Sequence, residues 1–558
     1  MTGRRNACPG LSSPMATGDG LLVRFVPVGP IGIDAFRAFC AAARQHGNGV
    51  IEITARGSVQ VRGLSERSAE EFAAAIATLG IAADGVPVVA TALGDEPDAL
   101  IAAEALAAEL RKAIGDLALE LAEQGLALAP KISVVVDGGG KLHLDAVAAD
   151  IRLRAIATPD GTRLCIGIAG DDASATWLGT VTPGTACAVV VTLLRAIATI
   201  GPAARARDLI GTAGGIASTF WSASKIGPGT NPSAEGGGWS AYARWDSPSL
   251  GHPPPSGEEL RYGPAPKCVL PSLERALRPP VEPIGPHRLR DGTVALGVAL
   301  AFGLADAERL AELAEIAAEH GAGSLRPAAG RALLVIGIPP DRASSLARCA
   351  AGLGFIVRPD DPRRRIAACP GAPACSSALM PARELAAAVG EMLANRFREP
   401  DQNIAAAETQ GPNPAALAGR EDFKGPHPQE LAPDERLEGW KLAPTSPVAV
   451  LRDGEGPCGA LASSGQGLIG TIHLSGCRKG CAHPKAAAIT VVGTGQGCEI
   501  IRNGTVRGRP DRRVESAELL SAIMAEAATS DHVAGVADLA KVAEVDRGIV
   551  APLEAVDG

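Results

Sequence analysis

HGNGVIEITARGSVQVRGL (46–64) and HGAGSLRPAAGRALLVIGI (320–338) stand 274 residues apart in one chain, each opening on a His-Gly pair. Gly63 falls on Gly337 in the same frame, and further upstream Gly29 falls on Gly303. Self-similarity held at one offset marks a duplicated supersecondary unit. In the first copy Ile51, Ile53, Val59 and Val61 alternate with polar residues, the period of half-buried strands. Ahead of each strand pair lies a stretch with helical spacing. Phe36, Phe39, Cys40 and Ala43 make its apolar face in the first copy, and Leu310, Leu313 and Ala317 in the second. Strand, helix, strand and second helix read as a small α+β, ferredoxin-like unit, present twice.

A second echo lies further on, at an offset of 357. KISVVVDGGGKLHL (131–144) aligns with AITVVGTGQGCEII (488–501), and both read as hairpins turning on glycines 138/495 and 140/497. The growth of the offset by 357 − 274 = 83 residues points to an insertion at about 397–465, where PDQNIAAAETQGPNPAALAGREDFKGPHPQELAPDE has little apolar periodicity. The expected organisation is a flexible N-terminus (1–17), a ferredoxin-like half-domain (18–85), an α/β domain (86–222), an irregular linker (223–290), a second half-domain (291–360) and a second α/β domain (361–545) that carries the insertion.

Four cysteines fall in two tight clips, Cys369 and Cys375 in AACPGAPACSSA and Cys477 and Cys481 in SGCRKGCAHP. Short loops rich in Gly and Pro suit a cubane iron–sulfur cluster, in which four thiolates converge and backbone amides turn toward sulfide. Zinc competes, although structural zinc sites favour two to four residues between paired ligands and the first clip has five. Ser376 or Ser377 stands as an N-cap before the apolar pattern of ALMPARELAAAVGEML, which would aim a helix N-terminus at the site. The remaining cysteines read as small buried hydrophobes. In the first copy the region ahead of the 131–144 run has no cysteine, so one half alone can hold the cluster, and a large ligand would lie between the halves.

Composition narrows the classes. The chain has 558 residues, enough for several cores, and 53 Lys+Arg against 61 Asp+Glu give a net charge of −8. With no basic run and only 3% aromatics, nucleic acid is not an expected partner. The alanine-rich stretches 101–130 and 182–200 are crossed by charges, among them Glu109, Arg111 and Arg195, so no membrane span is expected. The first twenty residues lack the apolar core of an export signal, which favours a cytoplasmic, reducing location over disulfides. No dinucleotide fingerprint is found, since GDGLLVRFVPVG lacks its glycine spacing.

The two cysteine clips, the ITARGSVQVRGL strand pair, the PKISVVVDGGG run and the duplication together resemble the nitrite/sulfite reductase superfamily. SGCRKGCAHP is similar to the precorrin-3B synthase branch of it. The resemblance implies a pseudo-twofold fold of two ferredoxin-like half-domains plus two α/β domains around a tetrapyrrole site, with a [4Fe-4S] cluster beside it. For that branch it implies oxygen-dependent hydroxylation of precorrin-3A at C20 with closure of a lactone, in aerobic cobalamin biosynthesis. A mononuclear non-haem iron, molecular oxygen and an external NADH-dependent electron-transfer partner belong to the same expectation.

The alternative is a siroheme-dependent nitrite or sulfite reductase, which must cage a small anion with fixed cations. Arg24 and Lys131 match two members of such a cage, but Ser133 stands at the second lysine position and GVPVVATALGDEP (85–97) supplies no second arginine. A tetrapyrrole bearing acetates and propionates needs carboxylate clamps, and Arg24, Arg56, Arg62 and Lys131 are the candidates. Cys369, Cys375, Cys477 and Cys481 are the expected cluster ligands. His483, two residues past the last of them, is the candidate for proton work, while His143 near Asp145 and the helix-end His46 and His320 read as structural.

Overall fold

The structure is a computed structural model that describes residues 9–82, 84–210, 278, 281–396, 471–483 and 485–527. The proposed insertion lies outside the described residues, as does most of the linker.

The first half runs β1 (Met15–Thr17), β2 (Gly20–Phe25), β3 (Ile31–Gly32), α1 (Ile33–His46), β4 (Val50–Ile53), β5 (Val59–Leu64), α2 (Glu66–Leu79), β6 (Val88–Ala90), α3 (Ala103–Glu123), β7 (Val134–Asp137), β8 (Ala149–Thr158), β9 (Gly161–Gly170), β10 (Thr176–Val181), α4 (Pro183–Ile200) and α5 (Ala206–Ile210). The second runs β11 (Gly285–Arg288), β12 (Val294–Ala299), β13 (Leu304–Asp306), α6 (Ala307–Glu319), β14 (Ser324–Ala328), β15 (Ala332–Ile338), α7 (Ala343–Gly352), β16 (Ile366–Ala368), α8 (Ala382–Arg396), β17 (Ile472–Ser475), β18 (Ala487–Thr494), β19 (Gly497–Gly504) and β20 (Arg512–Val514).

The duplicated units are interlocked. One sheet is ordered β1-β2-β5-β4-β13 and its mate β11-β12-β15-β14-β3, so each unit completes the other's sheet with one exchanged strand. Leu304 pairs with Glu52 in one exchange and Leu325 with Ile31 in the other. The periodic residues follow the helical and strand spacings: Phe36, Phe39, Cys40 and Ala43 of α1 and Leu310, Leu313 and Ala317 of α6 are all buried, and the two helices pack together in one core with both sheets. Fully burying each such side chain is worth about 1.5–3 kcal/mol, so neither unit could expose this face alone. The N-terminal stretch expected to be flexible contributes β1 and the buried Leu11, and the stretch given to the linker contributes β11.

The two α/β domains repeat one topology, β6-β7-β8-β9-β10 and β16-β17-β18-β19-β20, with the first three strands parallel and the last two antiparallel. This corrects the second echo. Residues 487–504 do form a hairpin, but 131–144 do not: β7 lies parallel between β6 and β8, then runs into a loop over 138–148. Its mate is β17, so the true offset is 472 − 134 = 338, and Cys477 and Cys481 correspond to Gly139 and His143. A short apolar run followed by glycines has the same pattern in either setting, and only the pairing distinguishes them. α4 is long and apolar enough to cross a membrane. Here Val190, Leu193, Leu194 and Ile197 pack it into the core shared with α3, and Arg195 pairs with Glu120.

Candidate functional site

A cavity of about 2180 Å³ opens between the halves. Its walls come from β2, the β4–β5 turn and residues 126–135 of the first half, and from the β14–β15 turn, residues 363–369 and Lys479, Cys481, Ala482, His483 and Lys485 of the second. Ordinary small-molecule pockets are about 300–1,000 Å³, so this one has room for a macrocycle with its side chains.

The cysteine clips close one end. Cys369 follows β16 directly and is buried. Gly371 then turns with φ +73, and a Cβ there would stand 2.4 Å from the amide nitrogen of Ala382, where α8 begins. Cys375 N donates to Gly371 O at 2.8 Å. The second clip follows β17: Gly476 N donates to Cys369 Sγ at 3.1 Å, and a Cβ on Gly476 would meet Ala378 Cβ at 2.6 Å and Cys369 Sγ at 3.5 Å. Lys479 Nζ donates to Ser377 Oγ at 2.7 Å and ties the clips together. Ser376 and Ser377 are therefore not the cap of the following helix, which starts at Ala382 behind Pro381.

All four thiols are free. Burial pushes the Cys369 thiol up, with Cys375 and Cys477 adding to the rise, and burial pushes Cys481 up beside Cys477 and Cys375. Mutual opposition of this kind is relieved when cationic metal takes the thiolates. Four thiols gathered in this way are the soft donor set that an iron–sulfur cluster takes. Cys498 and Cys40 are buried elsewhere, each thiol pushed up to about 12 by desolvation.

The expected clamps divide. Arg62 is a structural tie: its fork donates to Asp19 at 2.9 and 3.0 Å, Glu52 stands 3.7 Å away, and Nη2 donates to Ala374 O inside the first clip. It binds the first half to the cysteine loop through Asp19, two residues past β1, and Ala374, and its side chain also lines the cavity. Arg24 and Lys131 line the cavity, as does Arg56, whose backbone bridges to Ala329 across the pseudo-twofold. With the Gln60 amide turned so that its oxygen faces Arg24, it accepts from Arg24 Nε at 2.6 Å and donates to Glu52 Oε2 at 3.1 Å, which orients Arg24. Ser133 also lines the cavity, where its backbone amide donates to Asp150 at 3.0 Å.

His483 is half-buried on the cavity wall, with its ring 5.6 Å from that of His473. His473 is a residue sequence reasoning missed, although it interrupts the apolar run of β17 at a position opposite to Ile472 and Leu474. His143 was expected to be structural, yet its ligand atom and those of Asp137 and Asp145 all lie within 4.8 Å of one another. One nitrogen and two carboxylates are hard donors that suit a divalent iron. Arg278 already bridges both carboxylates, so an ion would have to displace it. Those residues do not fit a mononuclear iron as they stand.

A family model of the nitrite/sulfite reductase ferredoxin-like half domain matches residues 13–79 and 287–348, the two interlocked units. The chain is 32% identical over 524 residues to a precorrin-3B synthase of Sinorhizobium sp., covering 93% of this chain and 87% of that protein. It is also similar to the solved structure of the NirA protein of Mycobacterium tuberculosis, with a TM-score of 0.55 and 16% identity over 90% of this chain and 79% of that one. That last likeness is one of fold.

Proposed function

This chain belongs to the precorrin-3B synthase family, and on that premise we propose that its cavity takes precorrin-3A and returns precorrin-3B in aerobic cobalamin biosynthesis. The observation that carries the reading is the cavity between the halves, large enough for a macrocycle, with the free cysteines Cys369, Cys375 and Cys481 in its lining, Cys477 on the same clip as Cys481, and Arg24, Arg56 and Lys131 on its walls. Cys369, Cys375, Cys477 and Cys481 would hold a [4Fe-4S] cluster, which when bound supplies single electrons.

The other residues bind and orient. Arg56 offers a planar fork to a pair of carboxylate oxygens, and Lys131 a point charge. Several such contacts at once fix which edge of the ring faces the cysteines, and orientation of that kind replaces an entropic cost otherwise borne in the reaction. Hydroxylation at C20 inserts one atom of molecular oxygen and leaves the other as water, which consumes two electrons and two protons. The ring A acetate oxygen then adds to the ring carbon beside C20 as that carbon's double bond within the macrocycle opens, and its proton passes to the macrocycle, so the closure needs no further oxidant. NADH is the ultimate donor through a separate electron-transfer partner, in the cytoplasm. A siroheme-dependent reduction of nitrite or sulfite is the competing activity.

The test is the anaerobically purified protein. Precorrin-3A incubated with labelled oxygen and a reductant should yield a product carrying one labelled atom, and intense siroheme bands in the spectrum of the purified protein would sink the reading.

A further inference from the structure

Two polar side chains at the cysteine end of the cavity have no counterpart in the binding scheme above. His473 sits in the middle of β17, flanked in register by Ala367 of β16 and Thr490 of β18. Ile472 and Leu474 face the core with α8, so His473 faces the other way, toward the cavity wall to which Ala367 belongs. It is fully buried, and neither ring nitrogen has a hydrogen-bond partner. Native structures leave few such atoms, and those that persist call for an occupant or a role.

Arg331 lies beside it, on the β14–β15 turn. The guanidinium reaches only two carbonyls, Ile366 O at 3.4 Å and Ala482 O at 3.5 Å, both at the limit of a hydrogen bond. Among the described residues no carboxylate pairs with it, and burial lowers its pKa with nothing to oppose the shift. The backbone is unfavourable as well: φ is +63, a conformation that suits glycine. The duplicated unit has glycine at this place, since 331 − 274 = 57 and Gly57 turns with φ +81. Gly303 leaves room for the arginine stem, because a Cβ there would stand 2.9 Å from Arg331 Cδ. A charged side chain is kept, strained and unneutralised, where the fold asks for none.

We propose that Arg331, with His473 behind it and His483 beside it, is a subsite that receives one carboxylate of the tetrapyrrole next to the Cys481 loop. The proposal rests on the tetrapyrrole reading above and adds the residue that seats the macrocycle at the cluster end. Arg331 gives the charge and the donors. The orphan donor and acceptor of His473 hold the second layer, a bound water or the ring of His483, in place behind the carboxylate.

The test is binding of uroporphyrin, a stable porphyrin whose side chains are acetates and propionates, to the anaerobically purified full-length protein, followed by fluorescence quenching. Arg331→Gly relieves the backbone and should fold at least as well as the parent, so loss of binding cannot be ascribed to unfolding. Affinity should fall about 10- to 100-fold, the range of a charge-assisted hydrogen bond, with Arg331→Lys in between. His473→Leu should leave the thermal midpoint unchanged or higher and weaken binding by roughly threefold to tenfold. Binding by the parent with Arg331→Gly unaffected overturns the subsite and leaves the tetrapyrrole reading standing. An effect of Arg331→Gly without one of His473→Leu overturns the part given to the histidine. Failure of the parent itself to bind overturns the tetrapyrrole reading, and the subsite with it.

Discussion

Replacing Arg62 by alanine separates two roles that the sequence alone left merged. The Arg62 side chain is 4% exposed, Asp19 20% and Glu52 12%. Removing one partner of a buried ion pair costs about 3–5 kcal/mol, because the other charge is left without compensation. Asp19 retains some water and Glu52 keeps Arg383, so the expected loss is about 2–3 kcal/mol. Arg62→Lys keeps the charge but not the fork and should lose about 1–2 kcal/mol. The tie to Ala374 O also goes, so the first cysteine clip loosens and iron per chain should fall. Urea unfolding of Arg62→Ala, Asp19→Ala and the double variant gives the coupling energy directly, expected at about 1.5–3 kcal/mol. A loss under about 0.5 kcal/mol with full iron content, alongside weaker tetrapyrrole binding, would restore Arg62 to the substrate and refute the tie.

Changing any one of Cys369, Cys375, Cys477 or Cys481 to serine should remove the iron–sulfur absorption and lower bound iron, while Cys498→Ser leaves both intact. Cys498 should also resist alkylation at pH 8 in the folded protein, since a thiol pushed up to about 12 holds almost no thiolate there, and mass spectrometry reads the labelling. Gly476→Ala places a methyl 2.6 Å from Ala378 Cβ, so stability should drop by about 1–3 kcal/mol and cluster content with it. Burial raises the Asp145 carboxyl, but hydrogen bonds and charge from Arg278, aided by His143 and Arg154, bring it below the ordinary range. Its contribution is therefore present above the unfolded value of about 3.9 and is lost as pH falls through the lower folded one. The stability gap between the parent and Arg278→Ala should be flat from about pH 8 to pH 5 and shrink below about pH 4. A gap that widens in acid would refute this linkage.

The sequence by itself determined the duplicated unit, its helix faces and the two cysteine clips, because each is a local pattern. Helical spacing picks out Phe36, Phe39 and Leu310, alternation picks out Ile51 and Val61, and loop length brings two thiols together within a clip. Tertiary structure alone decided how the copies interlock, since the β3 and β13 exchange joins residues far apart in the chain. It alone placed 131–144 opposite the cysteine loop instead of a hairpin, a distinction that depends on strand pairing and not on composition. It alone sorted the cations, too. Whether an arginine is free for a ligand depends on partners 43 and 312 residues away for Arg62, and for Arg331 on the absence of any carboxylate within reach among the described residues. Charge compensation acts through space at a few ångströms, and no spacing rule along the chain encodes it.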